Sequence, residues 1–532
     1  MASTFHSIET AKRSLFTQTA ALGTTGHNIA NANTEGYSRQ TVRMTASRPM
    51  EAYGLQRSVF PGQLGTGVEF TSIDRIREMF LDDQFRGENN MFGSWSIQAD
   101  TLEKMEAIFN EPSETGIRTV MDKFFTSWSD LSKNPEDPTA RKIVVQTAQA
   151  FSDALNYMSK QIDNLDSDLN KNVALKGMEV QNHLSTIADL NRSIARIEGL
   201  GDNANDLRDQ RDLITDKLSK IMNITVVEDE TGYNVSLGGQ ALVEGAEVAV
   251  ANVDAAFLEN AFASGALSGG EIHGMLVSRN TIITNYRSQL NNLANTIVNG
   301  EIPVNIPAGS RIPENTTFNV EVEVSINGGI STIPAGQQIP SGAVLNKDAA
   351  VKVAGLNGLH KLGYTLDGTT TPGLPFFVAA DGGATITAGN ISFNSVIAAD
   401  PSKIATSMRT TGTGTNETVV KGNNTMALLI ANLNITKFTD ASGKEGTIAS
   451  FYSSMIGQLG IEAQEANRQT DNSVFLVSQV ESRRQSVSGV SLDEEMSNMI
   501  KFQHAYSAAS RFMTTFDELL NKLINSTGVV GR

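Results

Sequence analysis

Cysteine is absent from the 532 residues. That excludes a disulfide framework, a thiolate metal site and a cysteine nucleophile. Aromatic residues are scarce at 6%, which favours many thin helical layers over one thick core. Positive charge is in deficit: a formal net charge of −16 argues against nucleic acid or an anionic membrane surface as the main partner. No apolar run approaches the ~20 residues of a membrane span. The first residues lack a secretory apolar core, because His6, Glu9, Lys12 and Arg13 interrupt it. By these signals alone a soluble, cytoplasmic protein is expected. There is also no His-Glu-x-x-His, Walker loop, Rossmann fingerprint or Gly-x-Ser-x-Gly. Neither an enzyme nor any catalytic, cofactor-binding or metal-binding residue is expected. The length leaves room for several domains.

What is present is heptad order. Met499, Tyr506, Met513 and Leu520 recur every seven residues, and Phe502, Ala509, Phe516 and Leu523 recur three places later. Such an a/d pattern marks a helix laid along another helix. Ser491 offers a capping hydroxyl, Asp493, Glu494 and Glu495 suit the positive end of the helix, and Gly528 serves as a stop. At the other end of the chain Ile8, Leu15, Leu22 and Ile29 keep the same interval, with Phe5 and Ala11 widening the stripe. A helix over about 4–31 is the natural mate of the C-terminal one, since neither buries its stripe alone. The alternatives are a C-terminal helix that closes its own domain's core and an N-terminal helix in a local hairpin.

The N-terminal helix runs into Asn28, Asn31, Asn33, Thr34, Gly36 and Tyr37, followed by Ser38-Arg39-Gln40. Asn, Thr and Gly at this density end a helix and begin an extended segment. This stretch resembles the N-terminal signature of bacterial flagellar rod, hook and hook-associated proteins. Ser488 to Met496, with Gln503, Ala505-Tyr506 and Asp517-Glu518-Leu519-Leu520 beyond it, is similar to the C-terminal signature of the same family. Leu359-His360, Gly363, Leu366 and Phe376-Phe377 look like a motif of its hook-associated members. His360 has no second His or acid at ligand spacing and reads as structural.

Between the signatures, 41–72 reads as extended, punctuated by Gly54, Pro61, Gly62, Gly65 and Gly67. Helical periodicity returns at Ile73, Ile76 and Phe80 and runs to a stop at Pro112. A long helix starts near Pro138. Val144, Phe151, Met158 and Leu165 form one line of its seam, and Ala148, Leu155, Ile162 and Leu169 the other. After Leu169 the frame slips by four to Val173, Val180, Ile187 and Ile194, a stutter. As one helix it would span roughly 90 Å at ~1.5 Å per residue; a break near Gly177 is the alternative. The charges of Asp206, Arg208, Asp209, Arg211 and Asp212 alternate in sign and read as a solvated face. A β-hairpin follows near 223–237, then a seam of Leu276, Ile283, Leu290 and Ile297. From Glu301 the texture is β, with Ile306-Pro307-Ala308-Gly309 returning as Ile333-Pro334-Ala335-Gly336.

The expected fold is mainly α with inserted β domains. It is elongated, with N- and C-terminal helices forming a coiled coil, a long-helix bundle in the middle and a β-rich outer domain. The expected divisions are 1–72 (axial helix and signature segment), 73–300 (helical, rod-like), 301–421 (β-rich), 422–487 (returning helices) and 488–532 (C-terminal axial helix). The resemblance implies a structural subunit at the junction of hook and filament, exported by the flagellar type III apparatus and secreted. It implies hook protein, hook-associated protein 3, a ring of identical subunits and a cytoplasmic export chaperone as partners, with no nucleic acid and no membrane. The assembly residues would be Ile8, Leu15, Leu22 and Ile29 at one end. Met499, Phe502, Tyr506, Met513, Phe516, Leu520 and Leu523 would serve assembly and the chaperone at the other. Two rival readings are an extracellular hydrolase on a flagellar scaffold, opposed by the missing catalytic motifs, and a surface adhesin, opposed by the paired signatures.

Overall fold

A computed structural model describes residues 5–49, 65–110, 116–229, 232–326, 328–367, 370–412, 416–440 and 443–526. Gly528, Pro112 and the punctuation at Gly54, Pro61 and Gly62 lie outside these described residues. The helices in chain order are α1 (His6–Ala30), α2 (Met79–Phe109), α3 (Ile117–Lys133), α4 (Pro138–Glu198), α5 (Asn205–Ile221), α6 (Ala255–Ala263), α7 (Gly270–Val277), α8 (Thr284–Asn299), α9 (Gly355–Leu362), α10 (Ser395–Ala399), α11 (Thr425–Ala431), α12 (Ile448–Ser488) and α13 (Leu492–Ser526). Small antiparallel sheets are inserted among them. The fold is mainly α with inserted β. Two compact units result: a terminal unit (Met1–Ser96, Val173–Met275, Arg468–Arg532) and a middle unit (Ile97–Asn172, Leu276–Asn467).

In the terminal unit α1 packs along α13 and also on the strands Gln40–Ala46 and Val68–Arg75. Those strands pair antiparallel, Val42 opposite Ile73. This corrects the reading of Ile73 as helical: it sits in a strand, and the helix begins only at Met79. A second correction concerns α5. Asp209, Arg211 and Asp212 are buried, where the alternating charges suggest a solvated face; Asp206 is exposed, and Asp216, one turn beyond, is buried too. Sign alternation cannot tell water from a shell of counter-charges, and here arginines from other segments supply the shell.

Helix α4 is unbroken through Gly177. That glycine marks a close approach, since a Cβ there would lie 2.6 Å from the carbonyl oxygen of Val253. The seam follows the slipped frame: Ile162, Leu169, Val173, Val180, Ile187 and Ile194 are all buried. Asp137 starts the helix by accepting from the N–H of Thr139 at 2.8 Å.

The middle unit closes around rings. Phe124 stacks on Phe151 at 5.8 Å, and Phe376 meets Trp128 at 5.4 Å and Phe393 at 4.9 Å between centroids. Asn357 holds the Phe376-Phe377 pair in place: its amide donates to the Phe377 carbonyl, and its oxygen accepts from both backbone N–H groups. His360 is fully buried beside these rings, with Nδ1 2.5 Å from the Leu374 carbonyl and Nε2 accepting from the Ala405 N–H at 2.9 Å. Both ring nitrogens are used in neutral packing, and burial lowers its pKa to about 4. The predicted seam of Leu276, Ile283, Leu290 and Ile297 is buried too.

The β insertion begins with Glu301–Ile306 paired to Ala349–Ala354, their alternate side chains Ile302, Ile306 and Val351 buried. The Ile-Pro-Ala-Gly repeat builds one turn twice. Gly309 and Gly336 have φ of +82° and +79°, and the following N–H returns to the carbonyl of Pro307 or Pro334 at 3.2 Å in both copies. A positive φ at the third turn position is what makes glycine recur there.

Candidate functional site

Helix α1, packed on α13 and on the two strands, buries small and polar residues: Ala11, Thr17, Ala21, Thr24, Thr25 and Asn28. The apolar line Ile8, Leu15, Leu22 and Ile29 is half-buried along the flank. On α13, Ala509 is buried, Met499, Phe502, Met513, Phe516 and Leu520 are half-buried, and Tyr506 and Leu523 are exposed. A further set stays open to water: Phe16 on α1 and Leu492, Met496 and Ile500 on α13.

Polar chemistry locks the pair where the two signatures meet. The Asn28 amide donates to the Gln40 carbonyl at 2.8 Å and to Glu495 Oε2 at 3.1 Å. Its oxygen accepts from the Tyr37 hydroxyl at 2.8 Å and the Gln40 N–H at 3.0 Å. Arg39 donates from Nε to Glu495 Oε1 at 2.8 Å and from Nη1 to Glu494 Oε2 at 2.7 Å. Glu495 is 2% exposed, so both of its oxygens are spent on donors from the other end of the chain. Charge-assisted bonds to a buried carboxylate such as Glu495 each contribute ~1.5–3 kcal/mol. Burial, then Asp206, Asp209 and Glu495, keep the Tyr37 phenol protonated far above its usual range.

The rest of the signature shapes the turn. Asn31 donates to the His27 carbonyl and accepts from the Thr34 hydroxyl at 3.2 Å. Gly36 has φ +79°, and a Cβ there would stand 3.0 Å from Leu213. Asn33 and Thr34 are exposed. The turn then docks on α5, with the Ser38 N–H donating to Asp209 at 2.9 Å and the Gln40 amide to Asp206 at 2.8 Å.

Beneath the lock lies a buried charge cluster. Arg75 binds Asp209 at 2.7 Å and Asp212 at 2.9 Å; Arg77 forks onto Asp82 at 2.7 and 3.1 Å. Asp216 receives Arg86 and Arg484 at 2.8 Å each. Burial disfavours charge on Asp212, but Arg77, Arg75, Arg211 and Arg86 outweigh it and lower its pKa. On Asp209 burial prevails over its Ser38 and Arg75 partners and the pKa rises. Among the described residues no group of three or more His, Asp or Glu is arranged to hold a metal ion, and no helix is long and apolar enough to cross a membrane. The arrangement is suited to holding helices in register.

Sequence reasoning named Asn28, Asn31, Gly36 and Tyr37, took Asp209 and Asp212 for a solvated face, and passed over Arg75, Arg77, Arg86 and Arg484 with Asp82 and Asp216. One signal was available: Asp209, Asp212 and Asp216 are spaced three and four apart, a single acidic face on a helix.

Residues 102–300 match the family described as flagellar hook-associated protein FlgK helical domain, and 481–526 match flagellar basal body rod FlgEFG protein C-terminal. Flagellar hook-associated protein 1 of Bacillus subtilis (strain 168) is 36% identical over 541 residues, covering 100% of both chains. The protein of that name in Escherichia coli (strain K12) is 24% identical over 97% of this chain and 99% of its own. A solved structure, the flagellar hook junction protein FlgK from Burkholderia pseudomallei, is 16% identical with a TM-score of 0.51, covering 76% of this chain and 100% of that one. It shares the fold.

Proposed function

The chain belongs to the flagellar hook-associated protein 1 family, and from that premise we propose that it forms the junction between hook and filament. Its role is structural, in the bacterial flagellum. The observation that carries the junction reading is the lock itself: both signatures meet at Glu495, and the helices they hold leave Phe16, Leu492, Met496 and Ile500 exposed. Apolar surface of that kind marks contact sites.

In this reading Ile8, Leu15, Leu22 and Ile29, with Met499, Phe502, Tyr506, Met513, Phe516, Leu520 and Leu523, carry contacts among copies of the chain. Hook protein lies on one side of the ring and hook-associated protein 3 on the other. Before assembly the α13 face sits in the groove of a cytoplasmic chaperone, an amphipathic helix with anchors at i, i+3 and i+7. The chain then leaves through the flagellar type III apparatus. No catalytic step belongs to this function.

The test is the double substitution Leu15→Asp with Leu22→Asp. Electron microscopy should show flagella arrested at the hook, while the middle unit stays folded. Normal junctions and motility would overturn the reading. For the chaperone, Phe502→Ala with Phe516→Ala should weaken binding of the full chain in calorimetry; unaltered affinity would place the contact elsewhere.

A further inference from the structure

Arg39 touches both sides of the break between α12 and α13. Its backbone N–H donates at 2.8 Å to the carbonyl of Ser488, the last residue of α12. Its guanidinium holds Glu494 and Glu495 in the first turn of α13. Its own carbonyl accepts from the Ile76 N–H at 2.8 Å, so the residue is anchored to the segment that carries Arg75 and Arg77. One turn before the end of α12, Arg484 is gripped by Asp82 at 3.2 Å and Asp216 at 2.8 Å and lies 4.3 Å over the Phe85 ring.

Only Gly489, Val490 and Ser491 separate the two helices. The bonds within this link belong to one helix each: Gly489 N–H to the Gln485 carbonyl, and Glu495 N–H to the Ser491 carbonyl. A three-residue link with no bond of its own across the break does not set a direction. A residue that binds both sides does.

We propose that Arg39 is the positioning residue that fixes the direction in which α13, and α1 paired with it, leaves α12. A planar guanidinium suits this task, because its fork engages two carboxylates at once. The consequence for assembly rests on the junction reading above: copies can stack in register only if the helix pair leaves each one in the same direction. The positioning itself does not rest on that reading.

The absence of cysteine makes the test direct, since introduced cysteines carry spin labels without background. Ser478→Cys on α12 and Ser507→Cys on α13 place labels at exposed positions. A straight helical path between them would span about 43 Å at ~1.5 Å per residue, within reach of pulsed dipolar spectroscopy. The full chain should give one narrow distance. Arg39→Gln should widen that distribution at least twofold, and Arg39→Lys should fall between. Trp95 fluorescence in a Trp128→Phe background, which reports folding of the same unit, should show an unchanged unfolding midpoint to within a few degrees.

An unchanged narrow distribution in Arg39→Gln overturns the proposal. If that variant unfolds, Glu495→Gln removes the buried acceptor instead, and an unchanged width there overturns the proposal equally. A widened distance together with normal junctions in cells would overturn the consequence for stacking and leave the positioning standing.

Discussion

The middle unit closes around Phe124, Trp128, Phe151, Phe376 and Phe377, whereas the terminal unit closes around Arg75, Arg77, Arg86 and Arg484 with Asp82, Asp209, Asp212 and Asp216. Ring packing is set by volume and tolerates rearrangement. A buried ion network is set by direction and distance, and a missing partner leaves a charge stranded in low dielectric. The aromatic interior therefore supplies stability, and the charged interior supplies orientation for the helices that leave it. The two tryptophans allow each to be followed separately, Trp95 in the terminal unit and Trp128 in the middle one.

The largest effect is expected in the rings. Phe376 is fully buried and touches Trp128, Phe393 and His360. Phe376→Ala should destabilise the middle unit by about 4–5 kcal/mol, measured by urea unfolding with Trp128 as reporter in a Trp95→Phe background. A loss under about 1 kcal/mol would mean the rings are not the keystone of that interior.

Next comes the charged interior. Asp216→Asn strips the carboxylate from Arg86 and Arg484 together. The expected cost is about 3–4 kcal/mol, because each of two buried cations loses its nearest carboxylate. Trp95 in a Trp128→Phe background reads it. If Asp216→Asn proves neutral, the network is a solvated ornament and the contrast between the units fails.

The contrast also explains what could be read from the sequence. The heptad lines of α4 and of Leu276 to Ile297 are one-dimensional patterns, and both are buried in the fold apart from the half-buried Leu165. The lock was half visible: Asn28 and Tyr37 were named, but the partner of Asn28, Glu495, lies 467 positions away, and spacing carries no information across such a gap. The charge cluster was misread for the same reason. Asp209 and Asp212 look solvated until Arg75 and Arg77 are brought to them by the fold. Ile73 reads as helical because an i, i+3 pair with Ile76 also fits a strand end. On α1 the apolar stripe was legible, but the residues the helix buries are Ala, Thr and Asn, which no hydrophobic period marks.

Acid should separate the units. His360 has a folded pKa of about 4 against about 6.5 in the unfolded chain. Between those values the unfolded chain takes up a proton that the folded chain does not. Stability from this group is therefore complete above about pH 6.5 and is lost as pH falls towards 4, by up to about 3 kcal/mol. Below that pH no further loss comes from His360. Urea midpoints of the middle unit at several pH values, followed by Trp128, should show this slope. His360→Gln should flatten it; an equal slope in that variant would assign the acid sensitivity to other groups.

The smallest effect is the sharpest test of how burial governs charge. Glu494 and Glu495 are neighbours in sequence, and both accept from Arg39 at nearly the same distance, 2.7 and 2.8 Å. Their side chains differ in exposure, 62% against 2%. Distance alone would make the two pairs equal. Solvent screening makes them unequal: an exposed pair contributes ~0–1 kcal/mol, while a buried acceptor shared by two donors contributes ~2 kcal/mol or more. Hydrogen exchange over residues 492–505 reads the local opening free energy. Glu494→Gln should lower protection by less than about fivefold, since ~1 kcal/mol corresponds to about that factor. Glu495→Gln should lower it by a further order of magnitude, because its amide nitrogen turns a donor towards either Asn28 or Arg39. Equal losses for the two substitutions would show that Arg39 reads charge at the helix end and not the buried geometry of Glu495.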